Sequence, residues 1–502
     1  MRILLSFLLI FLLLISCNQN RLKNDEKKLS EQIRTEEQEK LETGNNLGEN
    51  IDQDSAFLGI RFHEDRSVDP KNPPQIIDIA GSLDNIEDIA LSQVASKIKY
   101  IRMEAVPDST LPRNLEYKYY LMDSYIVATN LYGIHLYSKE GKYIRTIIKN
   151  DLTGITYDEQ RNFIFIRDDH TEIGAGTSVW AQGDNLFYEY TNSITGDNYI
   201  MQYDCSQNQT LTNPGFDPEN PQKLTGLGNI FIKLSSRNAT KQKGQGMWGT
   251  DPGSFYGQMN IYSFDNGTYI KKLRGDDMMA AFNSRGDTLT TFTKLERVAH
   301  YTKSVVRGTD FGTQYEKNGN LFFRTDFNDT VFQVIPPNRL VPKYVLNLGK
   351  YKTSMLEGMD PGINLEGKII PMDWAETENY IFLTFSKDSY DCLNSRKDKS
   401  LKIYHALYSK QQGKLSIIKG DPTDYSPNIL KNDIDGGLPV WPKNYMTGKN
   451  DEILIPLRGN ELKSYVLTAR FKNSSAPSAK RNKLIEFANS VNKEDDILMI
   501  VE

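Results

Sequence analysis

A strand–turn–strand pattern that occurs three times constrains the fold of this chain more than any other feature of the sequence. The copies span residues 135–145, 261–271 and 407–415, and each has a glycine in its polar turn. Glycine readily adopts the positive φ that tight hairpin turns require, so each copy is predicted to be a β-hairpin. We expect the hairpins to form the outer halves of four-stranded blades. The turn glycines are Gly141, Gly267 and Gly413.

Short stretches rich in β-branched and aromatic residues recur along the chain, with turn residues between them. They cover residues 97–106, 117–122, 124–129, 134–138, 143–148, 162–166, 185–190, 199–203, 230–234, 321–324, 331–335, 380–385 and 403–408. Many short strands are typical of sandwiches, barrels and propellers, and the internal repeat favours a propeller. We therefore predict an all-β, six-bladed β-propeller, although the length also fits seven or eight blades.

The first residues have the pattern of an export signal. Arg2 precedes an apolar run over residues 3–15, which is too short for a typical membrane-spanning helix. The run ends in LISC at residues 14–17, which resembles the lipobox of bacterial lipoproteins, where the cysteine thiol takes a diacylglyceryl group. We predict a signal peptide over residues 1–16 and lipidation of Cys17. The alternative is an ordinary secretory signal with an incidental cysteine.

The residue after Cys17 bears on the destination of the protein. Asn18 stands where many inner-membrane lipoproteins have an aspartate, and by resemblance to that sorting rule its presence favours the outer membrane. Acidic residues follow only at Asp25 and Glu26, beside lysines. We expect a lipoprotein attached to the outer membrane through its lipid anchor, facing either the periplasm or the cell surface.

A polar stretch follows the predicted anchor. Residues 18–50 contain six Lys or Arg, eight Asp or Glu and no aromatic residue, so they cannot bury enough apolar surface to fold alone. We predict a largely disordered stalk over residues 17–75 and a propeller over residues 76–502. A short coiled coil that pairs two chains is the alternative for the stalk.

Charge and cysteine content argue against several classes of protein. The chain has 60 Lys+Arg and 65 Asp+Glu, a formal charge of −5, so a broad basic surface for nucleic acid is not expected. Beyond Cys17 the cysteines are Cys205 and Cys392, without the CxxC or Cys/His spacing of a zinc site. We predict two buried free thiols, with a disulfide between them as the alternative.

The sequence has no recognisable catalytic or phosphate-binding motif, such as GxSxG, HExxH or a Walker loop. His135 and His405 fall in predicted strands, where we expect packed or surface side chains. The carboxylates that could hold a metal ion are Asp326, Asp329, Asp433 and Asp435. Their spacing fits Asx turns better than a calcium loop, so we predict no metal, no cofactor and no catalytic residue.

A glycine-rich loop contains the best candidates for ligand binding. Residues 244–257 read GQGMWGTDPGSFYG and include Trp248, Phe255 and Tyr256. Exposed aromatic rings on a loop can stack on a sugar or bind a partner protein. The alternative is an aromatic plug folded over one face of the propeller. The tryptophans expected in blade cores are Trp180, Trp374 and Trp441.

The C-terminal residues predict how the ring closes. Leu484, Phe487, Ala488 and Val491 follow the spacing of an amphipathic helix, and residues 497–501 form a short apolar strand. We expect this strand to pair with the N-terminal blade, because closure of the ring removes exposed sheet edges.

Several segments resemble the six-bladed β-propeller lipoproteins of Bacteroides-type bacteria, a largely uncharacterised family. They are residues 91–104 (LSQVASKIKYIRME), 133–147, 322–350 (FFRTDFNDTVFQVIPPNRLVPKYVLNLGK) and 432–442 (NDIDGGLPVWP). The resemblance implies a first strand after a short helical segment, and an Asp-Thr-Val turn followed by a Pro-Lys-Tyr strand. It covers most of residues 76–502, but residues 150–154 replace a Gly-Pro-Gly-Glu loop that is frequent in the family.

The resemblance and the absence of a catalytic motif favour a non-enzymatic binding or scaffold module of the cell envelope, with a glycan, peptide or protein ligand. One alternative is a propeller hydrolase or lyase that acts on carbohydrate. Another is a structural subunit of an outer-membrane complex. Acidic and basic side chains converging on a channel mouth would favour the enzyme, an aromatic surface would favour binding, and a flat patch at the rim would favour the complex.

Overall fold

The structure is a computed structural model, and its description covers most of the chain from residue 61 onward. The described residues are 61–107, 117–130, 133–149, 152–157, 163–167, 179–191, 198–206, 232–234, 261–264, 267–272, 277–283, 287–293, 313–325, 327–360, 362–388, 401–423, 429–442 and 451–502. All of them belong to one compact unit, residues 56–502. The predicted signal peptide and Cys17 lie outside these ranges.

The strands of the described residues cover nearly all the predicted strand segments. Three strands precede the first sheet: β1 (Gln75–Asp78), β2 (Ile86–Glu87) and β3 (Ile98–Arg102). Sheet 1 contains β4 (Lys118–Leu121), β5 (Tyr125–Asn130), β6 (Gly133–Ser138) and β7 (Tyr143–Lys149). A separate pair follows, β8 (Leu152–Tyr157) and β9 (Phe163–Arg167).

Two further four-stranded sheets come next. Sheet 2 contains β10 (Val179–Gln182), β11 (Asn185–Thr191), β12 (Asn198–Asp204) and β13 (Ile232–Leu234). Sheet 3 contains β14 (Ile261–Ser263), β15 (Tyr269–Lys272), β16 (Asp277–Phe282) and β17 (Thr288–Thr293).

The last sheets each include a strand from the N-terminal segment. Sheet 4 contains β18 (Thr313–Lys317), β19 (Asn320–Arg324), β20 (Thr330–Ile335) and β21 (Arg339–Asn347), with β1 added at its edge. Sheet 5 contains β22 (Ile369–Glu376), β23 (Tyr380–Lys387), β24 (Lys402–Ser409) and β25 (Lys414–Ile418), with β2 at its edge. The closing sheet contains β26 (Ile453–Arg458), β27 (Asp496–Val501) and β3.

These sheets form an all-β propeller with few helices. The first strands of neighbouring sheets pack together, as β4 does with β10 and with β26, β10 with β14, and β18 with β22. Apolar clusters join the other neighbours: one contains Phe292 of sheet 3 and Leu321 of sheet 4, and another contains Phe382 of sheet 5 and Leu457 of the closing sheet. The ring therefore runs in chain order from sheet 1 to the closing sheet and back.

The described chain has five complete blades, so the predicted count of six is wrong. Five sheets of the described chain have four or five strands, whereas the closing sheet has three. Lys317 and Glu378, which end β18 and follow β22, both contact Asp451, which precedes β26. The chain direction of β26 is therefore opposite to that of β18 and β22, which are the first strands of their blades. In an antiparallel blade the second strand has this direction, so the closing sheet lacks the equivalent of a first strand within the described residues.

The three repeat hairpins form as predicted, with one difference in position. Gly141, Gly267 and Gly413 have φ angles of 82°, 73° and 64°, which is the backbone conformation expected at the turn glycines. The first and third hairpins, β6–β7 and β24–β25, are outer halves of sheets. The second hairpin, β14–β15, is an inner half, because sequence similarity between hairpins does not encode which edge of the sheet meets the ring axis.

The segment of residues 61–102, here called the strap, runs along the outer edges of four consecutive sheets. Phe62 N donates to Leu289 O of sheet 3 at 2.8 Å. The strands β1 and β2 then pair in parallel with β21 and β25, and β3 pairs antiparallel with β27. Main-chain hydrogen bonds therefore connect the strap to sheets 3, 4 and 5 and to the closing sheet.

The C-terminal prediction is confirmed. Four helices are described, α1 (Met355–Met359), α2 (Gly459–Val466), α3 (Ala469–Lys472) and α4 (Ser478–Ser490). The helix α4 buries Leu484 and Ala488, and β27 pairs with both β26 and the N-terminal β3. Within the described parts of the chain, no helix is long and apolar enough to cross a membrane.

Buried polar contacts accompany the apolar core between sheets 4 and 5. The Glu376 carboxylate, at the end of β22, accepts hydrogen bonds from the phenols of Tyr315 and Tyr344 in sheet 4. Lys410 Nζ lies 2.6 Å from Glu376 Oε1. One carboxylate thus has three partners and connects sheet 4 to sheet 5. Trp374 packs against both tyrosines and is 1% exposed, as predicted for a core tryptophan.

Candidate functional site

The strongest candidate site lies where sheet 1 meets the closing sheet. Cross-strand pairing places Tyr119, Ala128, His135 and Thr146 in one row on the same face of sheet 1. Strand alternation places Asp496, Leu498 and Ile500 on one face of β27. These two faces meet, since Tyr119 and Ala128 share an apolar cluster with Leu498 and Ile500. The polar end of this junction, called the tyrosine seam below, consists of Tyr117, Tyr119, His135, Tyr137, Tyr143, Arg458 and Asp496.

An ion pair lies at this end of the seam. Arg458 ends β26, Asp496 begins β27, and the two residues are cross-strand partners. Arg458 Nη1 lies 2.6 Å from Asp496 Oδ1, and the side chains are 28% and 27% exposed. Burial raises the pKa of Asp496 to about 6, although Arg458 opposes this shift. The carboxyl group therefore changes its protonation near neutral pH.

The chain before Asp496 fixes the position of the ion pair. Gly459 N donates to Asp495 O at 2.9 Å, at the start of α2. A Cβ atom on Gly459 would lie 1.8 Å from Asn492 O, so this approach of helix to turn requires glycine. Asp495 itself pairs with Arg102 of β3, with 2.8 Å between Arg102 Nε and Asp495 Oδ2. Adjacent aspartates thus bind different arginines.

Several tyrosines lie close enough to the carboxylate to sense its charge. Tyr117 packs against Tyr119 with 6.1 Å between ring centroids, and Tyr137 packs edge-on against Tyr143 at 5.8 Å. Burial raises the pKa values of Tyr117, Tyr119 and Tyr137, and the negative charge of Asp496 raises them further. The three phenols therefore lie within electrostatic reach of Asp496.

His135 contributes a buried imidazole with unused hydrogen-bonding capacity. Its side chain is 2% exposed, and its Nδ1 lies 3.0 Å from Thr146 Oγ1. Its Nε2 has no hydrogen-bond partner within the described chain. The Tyr117 ring packs edge-on against this imidazole at 6.0 Å. Burial lowers the pKa of His135 to about 4, so the ring is neutral at pH 7 and offers one N–H and one lone pair.

The seam can recognise a ligand through several kinds of contact. Asp496 accepts hydrogen bonds, Arg458 donates them, and the half-buried rings of Tyr117 and Tyr143 offer apolar faces. A buried donor or acceptor without a partner, such as His135 Nε2, costs free energy unless water or a ligand satisfies it. This combination is typical of a site for a small polar ligand.

The predicted binding aromatics cannot be compared with this geometry. Trp248, Phe255 and Tyr256 lie outside the described residues, as do Cys392 and the side chain of Trp180. Cys205 is a buried free thiol, and burial raises its pKa to about 12. His135 and His405 lie in β6 and β24, as predicted for packed histidines. Trp441 is buried, with its ring 4.9 Å from His405.

The acidic residues considered for metal binding serve turns and ion pairs. Asp329 Oδ2 lies 2.7 Å from Lys352 Nζ. Asp433 accepts from the backbone N–H and hydroxyl of Ser92, and Asp435 accepts from Gly437 N at 2.8 Å. Asp326 lies outside the described residues. No group of three or more His, Cys, Asp or Glu suited to a metal occurs in the part of the chain that is described.

Sequence reasoning missed Arg458, Asp496 and the seam tyrosines. The available signal was weak: Tyr117 and Tyr119 alternate along one strand, and Asp496 directly precedes a predicted apolar strand. Nothing in the sequence pairs residue 458 with residue 496, because their contact depends on the antiparallel pairing of β26 with β27, which are separated by three helices.

The solved structures that match this chain have little sequence in common with it. A Bacteroides fragilis protein described as exported has a TM-score of 0.46 and 12% identity, covering 85% of this chain and 99% of its own. A Bacteroides caccae protein of unknown function has a TM-score of 0.31 and 10% identity, covering 60% and 80%. The Neurospora crassa Pan2 WD40 domain has a TM-score of 0.29 and 8% identity, covering 81% and 96%.

No curated protein sequence matches this chain. A family match exists, however, and it covers residues 57–468, which is more than half of the sequence. The matched region includes the strap, the five complete sheets and β26. The chain therefore belongs to the family described as Domain of unknown function (DUF4933).

Proposed function

We propose that this protein is a lipid-anchored propeller of the bacterial cell envelope that binds an envelope ligand without transforming it. The tyrosine seam carries this proposal, because Asp496, Arg458 and an unpartnered, buried His135 Nε2 occur together with half-exposed aromatic rings. An aromatic surface is the feature expected of a binding module. The ligand classes considered are glycans, peptides and proteins.

The anchor rests on the N-terminal sequence. The apolar run, the LISC tetrapeptide and Asn18 support export, lipidation of Cys17 and retention at the outer membrane. The test is fractionation of cells that express the full chain or its Cys17→Ala variant. We expect the full chain in the outer-membrane fraction and the variant in the soluble periplasmic fraction. A variant that still sediments with membranes would contradict the anchor.

Binding is tested with the natural mixture of envelope components. Detergent extracts and released glycans from native envelopes are passed over immobilised full-length protein and over an Asp496→Asn variant. We expect a component that is retained by the full-length protein and lost from the variant. Equal retention by both would place binding elsewhere, and the loop around Trp248 would then be the next site to substitute.

A second candidate function is carbohydrate hydrolysis or elimination, and one observation favours it. Burial raises the pKa of Asp496 to about 6, so a fraction of this carboxyl holds a proton at pH 6–7, and a general acid acts in its protonated form. Mass spectrometry of the retained glycans separates the two functions. Shortened products that disappear with Asp496→Asn would favour the enzyme, and glycans of unchanged length favour binding.

A further inference from the structure

We propose that the tyrosine seam binds a saccharide, with sugar hydroxyls held by Asp496 and Arg458 and one face of the sugar ring against Tyr117. This inference rests on the proposed binding function and specifies its ligand class. It follows from the side-by-side arrangement of the ion pair, the aromatic rings and the unpartnered imidazole nitrogen.

The ion pair presents an acceptor and a donor to the same small region. Arg458 Nη1 and Asp496 Oδ1 are 2.6 Å apart, and the exposed fractions of the two side chains are 28% and 27%. A hydroxyl group donates and accepts at the same oxygen, so it can donate to the carboxylate while it accepts from the guanidinium. Two neighbouring hydroxyls of a sugar match this arrangement better than a peptide unit, whose donor and acceptor are separate groups.

Tyr117 supplies the apolar surface that a sugar ring requires. Its ring is half-buried and is supported by Tyr119 at 6.1 Å and His135 at 6.0 Å between centroids. Support from two rings fixes its orientation, so little conformational entropy is lost when a ligand packs on it. Aromatic side chains combine a large apolar face with a polar edge, which suits ligands that have both kinds of surface.

His135 Nε2 is a second, independent sign of a ligand. Buried polar atoms are nearly always hydrogen-bonded, yet this nitrogen has no partner within the described chain. The other ring nitrogen is held by Thr146 Oγ1 at 3.0 Å, and Tyr143 Oη lies 2.9 Å from the same hydroxyl. The imidazole is therefore fixed in orientation. The nitrogen has almost no exposed surface, so a water that bridges it to a bound ligand can satisfy Nε2, whether or not Nε2 carries the proton.

The experiment uses the full-length protein and isothermal titration calorimetry, with oligosaccharides from dextran, mannan, xylan and peptidoglycan as probes. A tryptic digest of envelope proteins is the competing probe. The variants are Asp496→Asn, which removes the charge, and Tyr117→Leu, which removes the ring; Tyr117→Phe keeps the ring. Asp329→Asn is the matched control, because Asp329 also pairs with a cation, Lys352, but precedes β20 in sheet 4. Circular dichroism and a thermal melt establish that each variant is folded.

We expect at least one oligosaccharide to bind the full-length protein. Asp496→Asn and Tyr117→Leu should each weaken that binding by tenfold or more, Tyr117→Phe by less, and Asp329→Asn by less than twofold. Peptides that bind in place of saccharides, and are lost with Asp496→Asn, would overturn the saccharide class and leave the proposed function standing. A saccharide that binds all variants equally would overturn the location. If neither probe binds, the saccharide proposal fails, and the proposed function is then decided by the retention experiment with native envelope components.

Discussion

Arg458 and Asp496 face each other across the two strands that close the propeller, with 2.6 Å between Arg458 Nη1 and Asp496 Oδ1. The pair belongs to the antiparallel strands β26 and β27, and β3 from the N-terminal strap pairs with the far side of β27. The same contacts therefore close the ring and define the polar end of the tyrosine seam.

The stability of the protein should depend on the protonation of Asp496. Its pKa is raised from 3.8 to about 6 in the folded state, so the folded carboxyl holds its proton more tightly than the unfolded one. The resulting stabilisation is present below pH 3.8 and is lost as the pH rises through about 6. Asn does not titrate, so the Asp496→Asn variant lacks this loss. Its free energy of unfolding minus that of the wild type should therefore increase by about 1–3 kcal/mol from pH 4 to pH 7.5. Urea unfolding of both proteins at each pH measures this difference, and a difference that stays constant or falls would contradict it.

The shared carboxylate between sheets 4 and 5 should be important for stability. Glu376→Ala leaves the phenols of Tyr315 and Tyr344 and the ammonium of Lys410 without their acceptor in a buried region. Loss of one partner from a buried charged group costs about 3–5 kcal/mol. The nearby exposed Glu378 is the control, and Glu378→Ala should change the free energy of unfolding by less than about 0.5 kcal/mol. Similar unfolding midpoints for the two variants would show that the buried contacts contribute little.

The contact between α2 and the turn before β27 should not tolerate a side chain at Gly459. An alanine Cβ there would lie 1.8 Å from Asn492 O, so the helix or the turn must move. We expect Gly459→Ala to lower the stability by about 1–3 kcal/mol, as overpacked sites do. Gly420→Ala is the control, because no atom lies within 4 Å of a Cβ at Gly420. Thermal denaturation compares the two, and an unchanged melting temperature for Gly459→Ala would refute this account.

The strap should unfold together with the propeller. Ile77 of β1 is fully buried against sheet 4, whereas its neighbour Ile76 is 56% exposed. Truncation of a buried isoleucine to alanine costs about 2–5 kcal/mol, so Ile77→Ala should destabilise the whole domain in a single transition. Ile76→Ala should have almost no effect. If Ile77→Ala leaves the main unfolding transition unchanged, the strap is a separate, weakly attached element.

Local sequence patterns predicted much of the fold. The predicted strand over residues 134–138 is β6 (Gly133–Ser138), and the predicted strand over residues 403–408 is β24 (Lys402–Ser409). The turn at Gly141 formed as expected, because the need for positive φ depends on a few neighbouring residues alone. The C-terminal helix and strand were predicted for the same reason, since their apolar spacing is a local property.

Local sequence patterns did not predict the number of complete blades or the residues of the tyrosine seam. A blade count depends on which strands pair, and the closing sheet begins with β26 running opposite to β18 and β22. The seam brings together Tyr117, His135 and Asp496, which are far apart in the sequence. No periodicity links such residues, because their contact energy appears only after the ring has closed.

The short strands, the glycine turns and the amphipathic C-terminal helix could be predicted from the amino-acid sequence, since each depends on residues that are close together in the chain. The span of the strap over four sheets, the contacts of Glu376 between sheets 4 and 5 and the position of Asp496 beside Arg458 follow only from the folded ring. Strand pairing and burial bring together residues that are far apart in the sequence, so no local pattern encodes them. The raised pKa of Asp496 comes mainly from desolvation by groups that surround it only in the folded ring.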